Sequence, residues 1–198
     1  MSRARSSFFL GVRDLLPLMP AGLSFGLVIG AGITQAGLGL AESLGMSTVV
    51  YGASAQLAAT VLWSRGAPLL IVVGTALIIN ARFLIYSASL APVVKPRSVA
   101  AKALYAYLVR DGVYAATMTR AVNDPSIDVG AYFLGASILD WAVWIVSTTA
   151  GMAGAALVPE SWSLDFVVPL VFVALLAQAL DGRAAVEVAL ASAVAATV

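Results

Sequence analysis

The chain has 198 residues, of which 61% are hydrophobic and only 11% are charged, and its formal net charge is +1. Soluble domains carry about 25% charged residues, so this composition excludes a soluble globular protein and predicts a polytopic membrane protein. The small net charge argues against a nucleic-acid-binding surface, and the lack of Cys and His excludes disulfides, zinc–thiolate sites and histidine-based proton transfer.

Apolar segments follow one another along the whole chain, separated by short polar connections. A helix needs about 20 apolar residues to cross the hydrocarbon core of a bilayer. The predicted membrane-embedded helical segments are 15–36, 46–63, 67–94, 99–121, 130–158, 164–180 and 184–198. No low-complexity linker divides them, so residues 1–198 are expected to form a single, all-α membrane domain.

The first segment is interpreted as an uncleaved helix with a glycine-lined face. Arg13 and Asp14 interrupt the apolar stretch that opens the chain before this segment, which is not typical of a signal peptide. Further along, Gly22, Gly26 and Gly30 recur every fourth residue and therefore share one side of a helix. Because glycine lets another helix approach closely, this face is predicted to be a helix-packing surface.

Segments 46–63 and 99–121 are poor simple spans. The first contains the small polar run Tyr-Gly-Ala-Ser-Ala-Gln at 51–56, and the second contains Arg-Asp-Gly at 110–112. If every segment crossed the membrane from a cytoplasmic N-terminus, the basic connection at 95–97 would lie outside, against the positive-inside rule. Two broken or re-entrant elements would keep it inside, so we predict that both segments are irregular, buried in protein or lining a cavity.

A weak internal similarity links segments 46–63 and 130–158. Gly-Ala-Ser at 52–54 recurs at 135–137. Inverted repeats with a binding site near the membrane midplane are common among transporters. The match is consistent with such a repeat, and equally with coincidence in a chain rich in alanine and glycine.

Segment 67–94 carries an arginine in its centre. Such a residue costs from about 2.5 to more than 10 kcal/mol in a bilayer and usually faces a protein interior or a wet cavity. On a helix, Tyr86 shares the face of Arg82, whereas Asn80 points to a different neighbour. Arg82 is interpreted either as a tie between helices or as the lining of a solute pathway. We favour the pathway, because a planar guanidinium suits a carboxylate.

Two carboxylates, Asp111 and Asp140, lie well inside apolar segments. Since the chain has no His, a proton-coupled transport step would fall to them. The sequence leaves their partners open: Asp111 is interpreted as a local pair with Arg110, and Asp140 as a buried counter-charge for Arg82.

The remaining polar and aromatic residues complete a predicted pocket. Trp141 and Trp144 lie mid-segment at i and i+3, where they serve either core packing or an aromatic wall for an apolar side chain. The full set of predicted substrate-binding residues is Ser54, Gln56, Asn80, Arg82, Tyr86, Trp141 and Trp144. No phosphate loop, metal cluster or catalytic set is recognisable, so neither an enzyme nor a cofactor is predicted.

Five short motifs follow one another between residues 9 and 185. They are Phe-Leu-Gly-Val-Arg-Asp-Leu-Leu-Pro at 9–17, Tyr-Gly-Ala-Ser-Ala-Gln at 51–56, Asn-Ala-Arg-Phe-Leu-Ile-Tyr-Ser-Ala-Ser-Leu at 80–90, Asp-Gly-Val-Tyr-Ala-Ala at 111–116, and Trp-x-x-Trp at 141–144 with Asp-Phe-x-x-Pro-x-x-Phe at 165–172. In this order they resemble the large subunit of AzlC-type branched-chain amino acid exporters, the azaleucine-resistance proteins.

The match is most specific at 80–90, which resembles the family motif Asp/Asn-x-Arg-His-x-x-Tyr-x-x-Ser-Leu with Phe83 in place of His. The run at 51–56 is similar to Tyr-Ala-Gly-Ala-Ser-Gln, with glycine and serine one place earlier. Around Asp111 the chain resembles Thr-Asp-Glu-Val-Phe-Ala, but Arg110 and Gly112 replace Thr and Glu.

The resemblance implies export of leucine, isoleucine, valine or similar apolar amino acids, driven by the proton gradient. It also implies a small hydrophobic membrane subunit of the AzlD type as partner. The expected location is the cytoplasmic (inner) cell membrane, as a multi-pass protein with a cytoplasmic N-terminus. The alternatives are a transporter or channel for another small solute, and a membrane scaffold without transport activity.

Overall fold

A computed structural model describes residues 3–96 and 98–155, and the regular elements in these ranges are all helical. A 3-10 turn at Leu16–Leu18 joins the first two helices. The α-helices are Arg3–Leu15 (α1), Met19–Gln35 (α2), Leu40–Val49 (α3), Ala53–Ser64 (α4), Leu69–Asn80 (α5), Arg82–Val94 (α6), Val99–Leu108 (α7), Asp111–Asn123 (α8) and Val129–Gly154 (α9). The all-α prediction is confirmed, while the segments predicted at 164–180 and 184–198, with the motif at 165–172, lie outside the described residues.

Three helices in the described part of the chain are long and apolar enough to cross a membrane. They are Arg3–Gln35, which joins α1 to α2 over 33 residues, and two helices of 26 residues, Leu69–Val94 and Val129–Gly154. At 1.5 Å per residue, a helix of that shorter length extends about 39 Å, which exceeds the roughly 30 Å hydrocarbon core. The predicted membrane class is therefore confirmed.

Both segments predicted to be irregular are broken in the structure. Helix α3 ends before Tyr51, whose φ of 37° lies in the left-handed region that non-glycine residues rarely adopt. Helix α7 ends before Val109 and Arg110, whose backbone is extended. The four half-helices α3, α4, α7 and α8 have 10 to 13 residues each, about 15 to 20 Å, so none crosses the membrane alone.

Side-chain contacts bring the beginning of the chain against the connection between α8 and α9. Arg3 Nη2 donates to the carbonyl oxygen of Ile127 at 3.4 Å. The amide of Asp128 donates to Ser7 Oγ at 3.0 Å. We call this side of the molecule the N-terminal end.

The connection between α6 and α7 lies at the same N-terminal end. Tyr105 on α7 donates its hydroxyl to the carbonyl oxygen of Gly130, at the start of α9, at 3.3 Å. Val94, the last residue of α6, has a methyl group 3.7 Å from where a Cβ on Gly130 would lie. Since α5 and α6 form one long helix that ends here, that helix begins at the opposite end.

These contacts make both broken elements re-entrant. Helices α3 and α4 connect through 36–39 and 65–68 to long helices at the opposite end, yet Tyr51 between them reaches Asp140 in the middle of α9. Helices α7 and α8 both attach to the N-terminal end, and Arg110 between them reaches the same Asp140. Each pair thus enters from one end and returns to it, and the two turning points meet at the centre.

The two broken elements enter from opposite ends, but the Gly-Ala-Ser match does not mark them. Gly52 is the residue immediately before α4, at the turning point of the first broken element. Gly135 lies inside α9, where a Cβ would overlap the carbonyl oxygen of Phe8 on α1. The two triplets occupy unrelated positions, so their recurrence reflects composition.

The predicted glycine face is used inside the chain, where α2 packs against α9. A Cβ on Gly26 would overlap Ser147 Oγ, and one on Gly30 would overlap the carbonyl oxygen of Thr148. Gly22, in contrast, has open space around its Cβ position. Gly26 and Gly30 therefore hold two long helices of this chain together and are not free to receive a second subunit.

The contrast between Gly30 and Gly22 supplies a matched test of this packing. Gly30→Ala forces α2 away from a backbone atom of α9, which cannot move like a side chain, so we expect a loss of about 2 kcal/mol or more. Gly22→Ala should be neutral or slightly stabilising, because alanine is the better helix former. Thermal unfolding of both variants in the same detergent measures the difference, and equal melting temperatures would contradict the close approach.

Candidate functional site

Two ion pairs lie where the broken helices meet the long ones. Arg82 Nη2 is 3.2 Å from Asp111 Oδ2, and Arg110 Nε is 3.6 Å from Asp140 Oδ2. The adjacent residues Arg110 and Asp111 thus reach different helices, α9 and α6. Both sequence interpretations were wrong here: Asp111 does not pair with its neighbour Arg110, and Asp140 is not the counter-charge of Arg82. The extended backbone before α8 turns the two side chains apart.

Arg82 connects three elements at the centre of the long α5–α6 helix. Its Nη2 donates to Ser54 Oγ on α4 at 3.1 Å, in addition to its contact with Asp111 on α8. The helix adopts 3-10 geometry at this point. The amide of Ala81 donates to the carbonyl oxygen of Ile78, and the amide of Leu84 donates to that of Ala81, both three residues back. Such 3-10 irregularities within a helix often mark functional positions.

The beginning of α4 adds partial positive charge beside Arg82. Its N-cap residue is Gly52, which has no side chain to satisfy the first amides of the helix. These amides lack partners within the helix, and the helix dipole makes such a terminus attractive to anions. Ser54 lies in this first turn, so the guanidinium of Arg82 and the start of α4 face one region.

Asp111 is held by a tyrosine on the same face of α6 as Arg82. The Tyr86 hydroxyl donates to Asp111 Oδ1 at 3.0 Å, and the Tyr86 ring stacks on Tyr114 of α8 at 4.5 Å between centroids. Ser89 donates to the Tyr114 hydroxyl at 3.0 Å. The face of α6 that carries Arg82, Tyr86 and Ser89 therefore packs against α8, the second helix of the second re-entrant element.

The Arg82–Asp111 pair is accessible although it lies at mid-depth. Its side chains are 39% and 50% exposed, and Arg82 is at the centre of a 26-residue apolar helix. Hydrocarbon does not solvate such a pair, because charged side chains in a membrane face an interior or water. The exposed side of this pair must therefore meet water, a solute or further polypeptide.

The second pair, Arg110–Asp140, is more enclosed and is built into aromatic packing. Its side chains are only 15% and 21% exposed. Tyr51 donates to Asp140 Oδ2 at 2.8 Å. The Arg110 guanidinium lies between two rings, 4.6 Å from the centroid of Tyr51 and 4.7 Å from that of Trp144. Through these contacts, Tyr51 and Arg110, at the turning points of the two re-entrant elements, both bind to α9.

Asn80 and Gln56, both predicted to bind substrate, contact the protein itself. Asn80 Nδ2 donates at 2.7 Å to the carbonyl oxygen of Val50, which the break after α3 leaves without a helical partner. Gln56 is fully buried and its Nε2 donates to Ser47 Oγ at 3.0 Å, which joins α4 to α3. Both amides support the first re-entrant element.

The two predicted tryptophans have different surroundings. Trp144 is buried, and its ring contacts the guanidinium of Arg110. Trp141 Nε1 donates at 2.9 Å to the Tyr107 hydroxyl, which in turn donates to the carbonyl oxygen of Thr48 at 2.7 Å. This chain of hydrogen bonds joins α9, α7 and α3.

The structure thus groups the predicted residues into an open and an enclosed set. The open set, centred on the first ion pair, contains Ser54, Arg82, Tyr86 and Asp111. The enclosed set contains Asp140 and Trp144, with Tyr51 and Arg110, which the sequence had not singled out as site residues. Among the described residues, no acidic group forms a cluster suited to a metal ion.

Sequence comparisons place these features in a known context. A family model described as AzlC protein matches residues 17–158. The chain is 24% identical over 177 residues to the inner membrane protein YgaZ of Escherichia coli (strain K12), an alignment that covers 86% of this chain and 72% of that protein. No solved structure matches the chain significantly.

Proposed function

The chain belongs to the AzlC family, since the family model matches most of its length, and from this premise we propose that it exports branched-chain or similar apolar amino acids. We propose further that export is proton-coupled and that the chain is the large subunit of a two-component exporter. The observation that carries the proposal is the half-exposed Arg82–Asp111 pair at the centre of an apolar helix.

An amino acid zwitterion presents the same two charges as this ion pair. Its carboxylate fits Arg82 together with Ser54 and the uncapped start of α4, where cationic and partially positive groups converge. Its ammonium fits Asp111, which Tyr86 already orients. Binding therefore exchanges one internal ion pair for two intermolecular ones, and the charges stay compensated in the membrane.

Asp111 is the better candidate of the two predicted proton carriers. It is half exposed and bound to a substrate-site arginine, so protonation of its carboxyl would loosen its hold on both Arg82 and a bound ammonium. Asp140 accepts from Tyr51 and pairs with the enclosed Arg110, an arrangement that favours a structural role. We assign the proton step to Asp111 and the positioning of the re-entrant turns to Asp140.

Basic residues at the N-terminal end support a cytoplasmic placement of that end. Arg3 begins α1, Lys95 follows α6, and Lys102 lies in the first turns of α7, all on this side. The positive-inside rule then orients the N-terminus towards the cytoplasm. Arg65 is at the opposite end, between α4 and α5.

The proposed partner is a small hydrophobic membrane subunit of the AzlD type. Its contact surface differs from the glycine face, because α9 already covers Gly26 and Gly30. The long α5–α6 helix leaves large apolar side chains such as Leu70 and Ile78 about four-fifths exposed, so lipid or further polypeptide must cover them. The exposed Arg82–Asp111 pair lies on the same helix.

Efflux from cells loaded with branched-chain dipeptides tests the function. Cells that express this chain together with a small hydrophobic membrane subunit of the AzlD type should release leucine, isoleucine, valine and methionine faster than control cells. Selectivity among these should be broad, since one methylene is worth only about 1–3 kcal/mol in an apolar pocket. Release of one of them alone, or of a charged amino acid, would contradict the proposal, and full activity without the small protein would reject the two-component part.

A further inference from the structure

A cavity lies between α1, α8 and α9, on the side of α8 away from α6. Its volume is about 360 Å³, and its charged walls are Asp14 and Arg120, with Tyr132 beside them. Along α8 it follows one helical face of small or polar residues from Gly112 to Asn123. It therefore begins next to Asp111 and extends to the N-terminal end of the molecule.

The two charges in this cavity face each other without a direct hydrogen bond. Arg120 Nε is 3.7 Å from Asp14 Oδ2, and this nitrogen is buried without a hydrogen-bond partner. Asp14 is held in place by Tyr132, whose hydroxyl donates to Oδ2 at 3.0 Å. The two side chains are each about one-third exposed, so their outer polar atoms remain available to a ligand in the cavity.

The chemistry of the walls selects the class of ligand. One cation and one anion compensate each other, which suits a zwitterion better than a simple anion or cation. Leu18, Ala115 and Ala116 add an apolar wall beside the charges. The volume is at the small end for ligand pockets, which run from about 300 to 1,000 Å³.

We infer that this cavity is a second amino-acid site, at which Arg120 binds the carboxylate and Asp14 the ammonium of a zwitterion before it reaches Arg82 and Asp111. The identity of the ligand rests on the proposed function. The place of the cavity fits a loading site, because its lining extends to Asn123, at the end of α8 that lies on the N-terminal side of the molecule.

Equilibrium binding of tritiated leucine tests the inference, with the protein and its proposed small subunit purified together in lipid nanodiscs. The wild-type chain should bind two leucines, and Arg120→Gln should bind one, because the loss of a charged hydrogen bond weakens that site about 10-fold or more. Arg82→Gln should also bind one, at the other site. Ala115→Trp fills the cavity while it keeps both charged side chains, and it should likewise leave one leucine. Val122→Trp, at an exposed position on α8 outside the cavity, should keep two.

The outcomes separate this inference from the proposed function. A single leucine that persists in Arg120→Gln and disappears in Arg82→Gln would overturn the second site and leave the proposed function standing. Loss of binding in Arg120→Gln with two leucines retained in Ala115→Trp would show that Arg120 only ties α1 to α8. Absence of leucine binding by the wild-type chain would overturn both.

Discussion

Replacement of Arg82 by alanine is expected to abolish amino-acid export while the protein still inserts into the membrane. The substitution removes the contacts to Ser54 and Asp111 and with them the cationic partner of a substrate carboxylate. Insertion should become easier, because the cost of placing a charge at mid-membrane disappears. We expect the export rate to fall at least about 100-fold, a loss of roughly 3 kcal/mol in transition-state stabilisation.

The same efflux assay separates geometry from charge at this position. Arg82→Lys keeps the charge, but its ammonium is a point charge and lacks the planar, forked guanidinium that contacts both Ser54 and Asp111. The export rate of this variant should therefore fall as well. Arg65→Ala, at an exposed position outside the site, is the matched control and should export at the wild-type rate. Normal export by Arg82→Ala in correctly inserted protein would show that Arg82 only joins helices.

Replacement of Arg110 by alanine is expected to cause the largest loss of stability. Arg110 is enclosed between Tyr51 and Trp144 and compensates the charge of Asp140. Removal of one partner from an enclosed ion pair leaves an uncompensated charge and typically costs about 3–5 kcal/mol. Because the pair joins both re-entrant turns to α9, the yield of folded protein and its melting temperature should fall together.

A double replacement distinguishes the lost charge balance from the lost packing. Arg110→Met combined with Asp140→Leu removes both charges and keeps apolar volume, so it should recover much of the stability lost in Arg110→Ala. Thermal unfolding in detergent, monitored by size-exclusion chromatography, compares the three proteins. A double variant less stable than Arg110→Ala would mean that the hydrogen bond from Tyr51 to Asp140 outweighs the ion pair.

Composition and local pattern were enough to predict the class of the protein and its unusual segments. A chain with 61% hydrophobic residues cannot fold as a soluble domain, and this follows from transfer free energies that add up residue by residue. The irregularity of 46–63 and 99–121 was predictable because Tyr-Gly-Ala-Ser and Arg-Asp-Gly are poor spanning sequences wherever they lie. Arg82 stood out for the same reason, since an intramembrane charge is costly in any fold.

The tertiary structure decided which of these residues act together. Ion pairing requires atoms within about 4 Å, and helical spacing does not reveal which helices approach each other. The cross-pairing of Arg82 with Asp111 and of Arg110 with Asp140 therefore became visible only when the two re-entrant turns met beside α9. The same holds for Asn80. Its side-chain amide donates to the carbonyl oxygen of Val50, thirty positions away, just after α3 ends.

The glycine face shows the same division between local and non-local information. Its spacing alone indicated close helix packing, because glycine at every fourth position presents a smooth surface in any helix. The partner of that surface is α9 of the same chain, which contacts Gly26 and Gly30 and misses Gly22. The sequence by itself thus determined the membrane class, the broken elements and the central charge, which depend on local free energies. Only the tertiary structure decided the partners, because they depend on how distant segments cross.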